Sequence, residues 1–395
     1  MTKSSGWRAV VSAGLLQKIL ADERMLSLSC QPIVDLRRGV IVGYEALARF
    51  ALKLPVPPNI VFASAQRLGL GEELELVALR RALELSRHTP PNCFLTINVD
   101  PQHLLSPRII ELITAHGSLA GVVFELTEHS HLEDVEQVAQ RLKELRRQGA
   151  FIAVDDAGAG YSGLQRILAL RPQFLKVDHS LVSSVDNDAA KRATIQMLGE
   201  LAERLDAWII AEGVETSAEL HALTQLGVPL AQGFALSHPL PPWSVLSSEV
   251  VMTLDALPRD ALTTGLVDGL VEPALICGPN AAWPKDRGVC VRLESSGRPL
   301  SLRIVDHHGE HVREAHELLR VKRESPIAAV ALRCTLRPEH QRWDPVVCID
   351  ELGHFEGLIH VHTLVWALAS GRPQPANVDV QRTQLAPPQA VGSRK

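Results

Sequence analysis

Short apolar runs in this chain repeatedly end on side chains that can bind cations or move protons. Glu45 stands in Tyr44-Glu45-Ala46-Leu47, Asn98 ends Leu95-Thr96-Ile97-Asn98, and Glu125 ends Val122-Val123-Phe124-Glu125, with Glu128 just beyond. Asp155 and Asp156 follow Phe151-Ile152-Ala153-Val154, Lys176 and Asp178 end Phe174-Leu175-Lys176-Val177-Asp178, and Glu212 and Glu215 follow Ile209-Ile210-Ala211. Gln232 lies in the run Leu230–Ala235. One such acid is ordinarily a solvated loop residue or a helix cap. Recurrence in seven of the eight runs asks for a common cause. Several carboxylates brought together repel unless something neutralises them, and hard divalent cations do this well. Carboxylate and amide oxygens suit Mg²⁺ or Mn²⁺, and the lack of His and Cys at these positions argues against zinc. The adjacent Asp155 and Asp156 could share two ions ~3.5–4 Å apart, the spacing of two-metal phosphoryl chemistry. Lys176 could then hold the attacking water or a phosphate oxygen, and Arg49 could clamp phosphate. The residues alone thus point to metal-dependent hydrolysis of a phosphate ester.

This chemistry needs elements that bring the run ends to one place. The runs are Leu26–Leu36, Val40–Leu47, Phe94–Val99, Val122–Leu126, Phe151–Val154, Phe174–Val177, Trp208–Ala211 and Leu230–Ala235. Most are apolar throughout, as strands covered on both faces are. The segments between them read as helices. Asp134–Arg147 puts Val135, Val138, Leu142 and Leu145 on one face, with Gly149 as a stop. Thr216 and Glu219 have the spacing of a capping box, and Gly227 closes that helix. Strand and helix repeated about eight times in ~250 residues is the size of a (β/α)8 barrel, which gathers its strand ends on one face. An open doubly wound sheet fits less well, because no Gly-rich phosphate loop follows the first run.

From about Leu254 the texture loosens, then short strand-like runs return at Gly288–Leu293, Leu300–Val305, Ile327–Leu332 and Pro345–Ile349. His354–Val361 follows and leads into a helix expected at His362–Ala369. The fold class expected is therefore α/β: a (β/α)8 TIM-like barrel over 1–253, a smaller α/β sensor-like domain over 254–370, and a disordered tail over 371–395. Histidines cluster at His307, His308, His311 and His316, and His129 and His131 are closely spaced; both groups read as surface residues rather than metal ligands.

Composition narrows the class of partner. The 395 residues carry 40 basic and 45 acidic side chains, a net charge of −5, which excludes the diffuse basic surface of a general nucleic-acid binder. No apolar run approaches the ~18 residues of a membrane span, and Met1–Leu20 reads as an amphipathic helix rather than a signal peptide. The six cysteines, Cys30, Cys93, Cys277, Cys290, Cys334 and Cys348, form no C-x-x-C pair. They are expected to be free thiols in a reducing compartment, which places the chain in the cytoplasm.

The segment from Leu15 to Trp243 resembles the EAL domains, the cyclic di-GMP phosphodiesterases. Glu45-Ala46-Leu47-Ala48-Arg49 is the motif that names them. Gln31-Pro32-Ile33-Val34, Glu125-Leu126-Thr127-Glu128, Asp155-Asp156-Ala157-Gly158-Ala159-Gly160-Tyr161-Ser162, Leu175-Lys176-Val177-Asp178, Glu212-Gly213-Val214-Glu215, Gln232-Gly233-Phe234 and Pro239-Leu240-Pro241 follow in the family's order. The resemblance implies that Glu45, Asn98, Glu125 and Asp155 bind a first metal and that Asp155 and Asp156 hold a second. It implies that Lys176 positions the attacking water, Glu212 acts as base or orients that water, and Gln232 completes the network. Arg49, with Asp178 and Glu215, would serve substrate binding, and Glu128 would anchor the loop after its strand. The implied reaction opens cyclic di-GMP to linear pGpG with Mg²⁺ or Mn²⁺, in a homodimer. One departure is Ala157, where the family usually has phenylalanine; loss of that aromatic anchor would loosen the loop. The alternative is a catalytically silent EAL domain that binds cyclic di-GMP or a protein. Asp344–Ile359 resembles, over a short stretch, the strand-turn-strand of CBS-type or PAS-type sensors, so a small-molecule or protein signal is expected at the C-terminal domain.

Overall fold

The structure is a computed structural model that describes residues 11–126, 135–157, 167–205, 207–257, 265–284, 288–306 and 309–370. Eight strands close a barrel in sequence order: β1 (Leu26–Asp35), β2 (Val40–Phe50), β3 (Phe94–Val99), β4 (Val122–Leu126), β5 (Phe151–Ala157), β6 (Phe174–Val177), β7 (Trp208–Ala211) and β8 (Leu230–Ala231). From β2 to β8 every neighbour is parallel. The expected regular alternation fails at the start, because β1 is antiparallel to both β2 and β8. The reason is local. Asp35 accepts the backbone N–H groups of Arg37 and Arg38, each at 2.8 Å, and Gly39 takes φ 66°, so the chain turns straight back as a hairpin. The beginning of β1, rather than its end, therefore lies level with the C-terminal ends of the other strands.

Helices cover the outside of the barrel: α1 (Ala13–Ala21), α2 (Pro58–Arg67), α3 (Gly71–Ser86), α4 (Pro107–His116), α5 (Val135–Arg147), α6 (His179–Val182), α7 (Ala189–Arg204), α8 (Ser217–Gln225) and α9 (Ser248–Asp255). On α5 the expected stripe is buried at Val138, Leu142 and Leu145, while Val135 is exposed; Gly149 takes φ 98° just after the helix. The α8 capping box is present: Thr216 accepts the Glu219 N–H at 3.1 Å and Glu219 accepts the Thr216 N–H at 3.0 Å. Alternate residues of each strand divide between two cores. One set packs outward against the helices; the other fills the barrel with Phe94, Val123, Ala153, Phe174, Trp208 and Ile210. Gly43 is required here, because a Cβ on it would lie 2.4 Å from the Phe94 ring.

A second unit follows. β9 (Leu275–Cys277), β10 (Gly288–Leu293), β11 (Pro299–Asp306) and β12 (Gly309–Glu314) form one sheet in the order β12-β11-β10-β9. β13 (Arg320–Val321), α10 (Ile327–Thr335), β14 (Val346–Ile349), β15 (Phe355–Ile359) and α11 (Val361–Ser370) supply a three-stranded sheet, β13-β14-β15, and two helices. Ile327–Leu332, expected as a strand, is helical. Pro326 precedes it as the cap, alanines fill it, and Ile327, Val330 and Cys334 are buried at helical spacing. On β14, Val346 and Cys348 face the helices and Val347 faces the other sheet.

This unit covers the N-terminal ends of the parallel strands. The Arg298 guanidinium lies 4.5 Å over the Phe151 ring and donates to Gly149 O at 3.3 Å. Lys322 lies 4.0 Å over the Trp208 ring and donates to Ala207 O. All six cysteines are free. Among the described residues no helix is long and apolar enough to cross a membrane.

Candidate active site at the C-terminal end of the barrel

Strand alternation aims Glu45, Glu125, Asp155, Lys176 and Glu212 into the same end of the barrel. Lys176 is the centre. It is 1% exposed, and its Nζ donates to Glu125 Oε1 at 2.5 Å, pairs with Glu212, and lies 3.5 Å from Glu45 Oε2. Glu45 is fixed from two further sides: Asn98 Nδ2 donates to its Oε1 at 3.0 Å and Gln232 Nε2 to its Oε2 at 2.5 Å. The Gln232 amide in turn donates to Gln31 Oε1 at 2.9 Å, and Gln31 Nε2 donates to Ser237 O at 2.9 Å.

Gln31 was not among the site residues expected from sequence, although it opens the Gln31-Pro32-Ile33-Val34 motif. The other site residues stand at the ends of apolar runs, whereas the reversed β1 brings its beginning to the site.

Glu125, Asp155 and Glu212 present oxygens that all lie within 4.8 Å of one another. Glu125 is 1% exposed, and its Oε2 is buried with no hydrogen-bond partner among the described residues. An unpartnered buried carboxylate oxygen in a group of three carboxylates suits a hard divalent cation, which would satisfy it and neutralise the excess charge.

The electrostatics carry the same mark. Burial pushes the Glu45 carboxyl up, but Lys176 and the Gln232 and Asn98 amides outweigh it and hold it below the usual range. Burial lifts Glu125 well above the usual range despite Lys176, with Glu45, Asp155 and Glu212 adding to the rise. Burial raises Glu212 to about 8 against the pull of Lys176, with Asp155 and Glu45 again raising it. Burial alone would lower Lys176, yet Glu125, Glu212 and Glu45 hold it well above its usual range, so it stays charged. Without added positive charge, one lysine cannot keep all these carboxylates ionised.

The other expected residues divide. Arg49 is half-buried on β2, its Nη1 donating to Ala48 O at 2.9 Å. Asp178 caps α6 by accepting the Ser180 N–H at 2.9 Å. Glu215 is exposed, and its backbone N–H donates to Glu219 at 2.9 Å. Asp156 and Ala157 lie on β5, but their side chains, and all of Glu128, His129, His131, His307 and His308, fall outside what is described. Gly213, at φ 66°, fits against His179, whose Nδ1 would lie 2.5 Å from an added Cβ; this holds the turn after Glu212.

Residues 15–239 match the family model for the EAL domain. The chain belongs to the EAL domain family. Its EAL segment is 32% identical over 223 residues to the probable cyclic di-GMP phosphodiesterase PdeG of Escherichia coli (strain K12), covering 53% of this chain and 44% of PdeG. It is 30% identical over 224 residues to the probable cyclic di-GMP phosphodiesterase PdeN of the same organism, covering 53% of this chain and 43% of PdeN. The chain thus spans less than half the length of either relative. Among solved structures, the PaMucR phosphodiesterase in complex with c-di-GMP matches with a TM-score of 0.51 and 26% identity, over 57% of this chain and 96% of that one. The EAL domain protein from Listeria monocytogenes EGD-e shares the fold with a TM-score of 0.53 and 22% identity, over 58% of this chain and 94% of that one.

Proposed function

We propose that this EAL protein is a metal-dependent phosphodiesterase that opens cyclic di-GMP to linear pGpG. The observation that carries the reading is the convergence of Glu45, Glu125 and Glu212 on the buried Lys176 in an EAL barrel, with Asp155 in the same carboxylate group. The likeness to PdeG and to the c-di-GMP-bound PaMucR supports the substrate. Glu45, Asn98, Glu125, Asp155 and Asp156 would hold two divalent cations, Mg²⁺ or Mn²⁺, which supply a more acidic bound water and neutralise charge on the phosphate.

The rest falls to the chain's own side chains. Lys176 keeps its proton and serves as a fixed donor that orients the attacking water. Glu212, the most accessible of the lysine's partners, is the group placed to take or orient that water's proton once bound cations keep its carboxylate ionised. Gln232, locked by Gln31, holds Glu45 in place. Arg49, with Asp178 and Glu215, serves substrate binding, and Glu128, outside the described residues, would anchor the loop that follows its strand. Water adds to one phosphorus, one P–O ester bond breaks, and the departing oxygen takes a proton. The catalytic unit is placed at 1–253, a regulatory unit of CBS-like or PAS-like type at 254–370, and a tail at 371–395. The β-α-β-β-α order of β13 through α11 favours the CBS-like alternative. A homodimer and a cytoplasmic setting complete the reading.

The test is pGpG formation from cyclic di-GMP by the purified chain with Mg²⁺ and with Mn²⁺, beside Glu45→Ala. Turnover that Glu45→Ala abolishes is expected. Tight binding of cyclic di-GMP with no turnover in either metal would make the protein a receptor instead.

A further inference from the structure

The catalytic layer does not rest on the barrel alone. Residues two apart on a strand face the same side, so each site residue has a partner one step deeper in the barrel. Val123 precedes Glu125, Ala153 precedes Asp155, Phe174 precedes Lys176, Ile210 precedes Glu212 and Leu230 precedes Gln232. All five of these deeper residues belong to a single packed cluster, and among the described residues its one member from outside the barrel is Leu352. Leu352 is 6% exposed and rides on the turn between β14 and β15 of the second unit.

That turn is rigid in itself. Asp350 Oδ1 accepts the N–H groups of Leu352 at 2.9 Å and His354 at 2.8 Å, its Oδ2 meets His354 Nδ1 at 3.0 Å, and Gly353 takes φ 77°. It is also clamped to the barrel from two sides. Arg298 Nε donates to Leu352 O at 3.1 Å while its guanidinium covers Phe151. On the other side Glu351 pairs with Arg38 of the β1–β2 hairpin, which Asp35 also holds at 2.6 Å. Close-packed interiors pass displacement on rather than absorb it, so the apolar layer between Leu352 and Lys176 is a stiff spacer.

We infer that Leu352 is a positioning residue for the Lys176 layer: the second unit inserts it into the N-terminal mouth of the barrel and so sets the height and order of the site residues at the other end. The inference rests on the phosphodiesterase reading for its kinetic part only. It makes the second unit part of the machine that holds the site, so that a change in that unit reaches Lys176 without touching it.

The test compares full-length wild type with Leu352→Ala, Leu352→Met and, as a control on the outer face of α11, Val365→Ala (Val365 is 50% exposed). With cyclic di-GMP and Mn²⁺, Leu352→Ala is expected to lower kcat about tenfold with KM changed less than about twofold, a small misplacement of catalytic groups being enough for that. Leu352→Met, of similar volume, should restore most of it, and Val365→Ala should match wild type. Amide hydrogen exchange gives a readout independent of turnover. Leu352→Ala should quicken exchange in β6 and β4 about tenfold and leave α2, which packs in a separate cluster, unchanged. Unaltered exchange in β6 and β4 overturns the inference. So does a uniform rise that includes α2, which would mean a general loss of stability. If wild type fails to cleave cyclic di-GMP while the local exchange effect appears, the proposed function falls and the positioning role stands.

Discussion

Lys176 is worth more to this protein than a single ion pair. It is surrounded by Glu45, Glu125 and the partly exposed Glu212, and the lysine and Glu125 lie where water screens little. Removing one partner from a buried charged group leaves the others uncompensated, which costs about 3–5 kcal/mol. Lys176→Met is therefore expected to lower the melting temperature sharply in EDTA. Mn²⁺ should return part of the loss, because a divalent cation supplies the missing positive charge to the same carboxylates. Melts in EDTA and in Mn²⁺ measure this directly; equal melting of wild type and variant in EDTA would contradict it. The same logic explains the chain of amides. Gln31 fixes Gln232, and Gln232 fixes Glu45, so each polar group near the centre has one orientation rather than several.

Among the elements, the β1–β2 hairpin is the one that departs from a plain βα repeat, and it affects both ends of the barrel. Its reversed first strand carries Gln31 to the site end, and its turn carries Arg37 and Arg38 to the opposite end. Arg37 pairs there with Glu324 at 2.9 Å and lies 3.4 Å from Asp268. Register across this hairpin also places Gly43 beside Ile33 and under the Phe94 ring. Gly43→Ala must push that ring, which packs 4.9 Å from Phe174, two residues before Lys176. Overpacking of this kind costs about 1–3 kcal/mol. Denaturant unfolding should show that loss with an unchanged m-value, whereas Gly14→Ala, on α1 with open space around it, should not.

For the whole molecule, the contact between the two units is polar at its edge and apolar at its centre, and one edge group titrates. Burial lifts the Glu351 carboxyl to about 7 in spite of Arg38, with Asp35 and Asp350 adding to the rise. Its unfolded value lies near the ordinary carboxylate range, so between about pH 4.5 and 7 the folded chain holds a proton that the unfolded chain has lost. Raising the pH through that window pulls toward the unfolded state. The stabilisation linked to this proton is complete below the unfolded value and is lost as pH rises through the folded one. Glu351→Gln cannot titrate. The melting temperature of wild type minus that of Glu351→Gln should therefore fall steadily from pH 4.5 to 8; a flat or rising difference would show that Glu351 is already ionised in the folded protein.

Much of this was written in the order of residues. Apolar runs of strand length, separated by helical stripes and stopped at Gly149 and Gly227, are local patterns, and local physics is enough to read them as a barrel. Recurring acids and amides at the run ends pointed to the site for the same reason: in a parallel barrel, the end of a strand has only one place to go. Other features depended on contacts remote in sequence. Ile327–Leu332 looked like a strand because a short apolar run has no clear period, and the helix was settled by which residues it buries against β14 and α11. Gln31 escaped because strand direction is not written in a strand; it followed from the hairpin at Asp35 and Gly39. That Leu352 reaches the interior of the barrel could not be read at all, since it depends on how two separately patterned units meet. The sequence by itself determined which side chains could do the chemistry and the elements that bear them. Only the tertiary structure decided the direction of β1, the burial that shifts Glu125 and Glu212, and the insertion of Leu352, because each arises from the proximity of groups far apart along the chain.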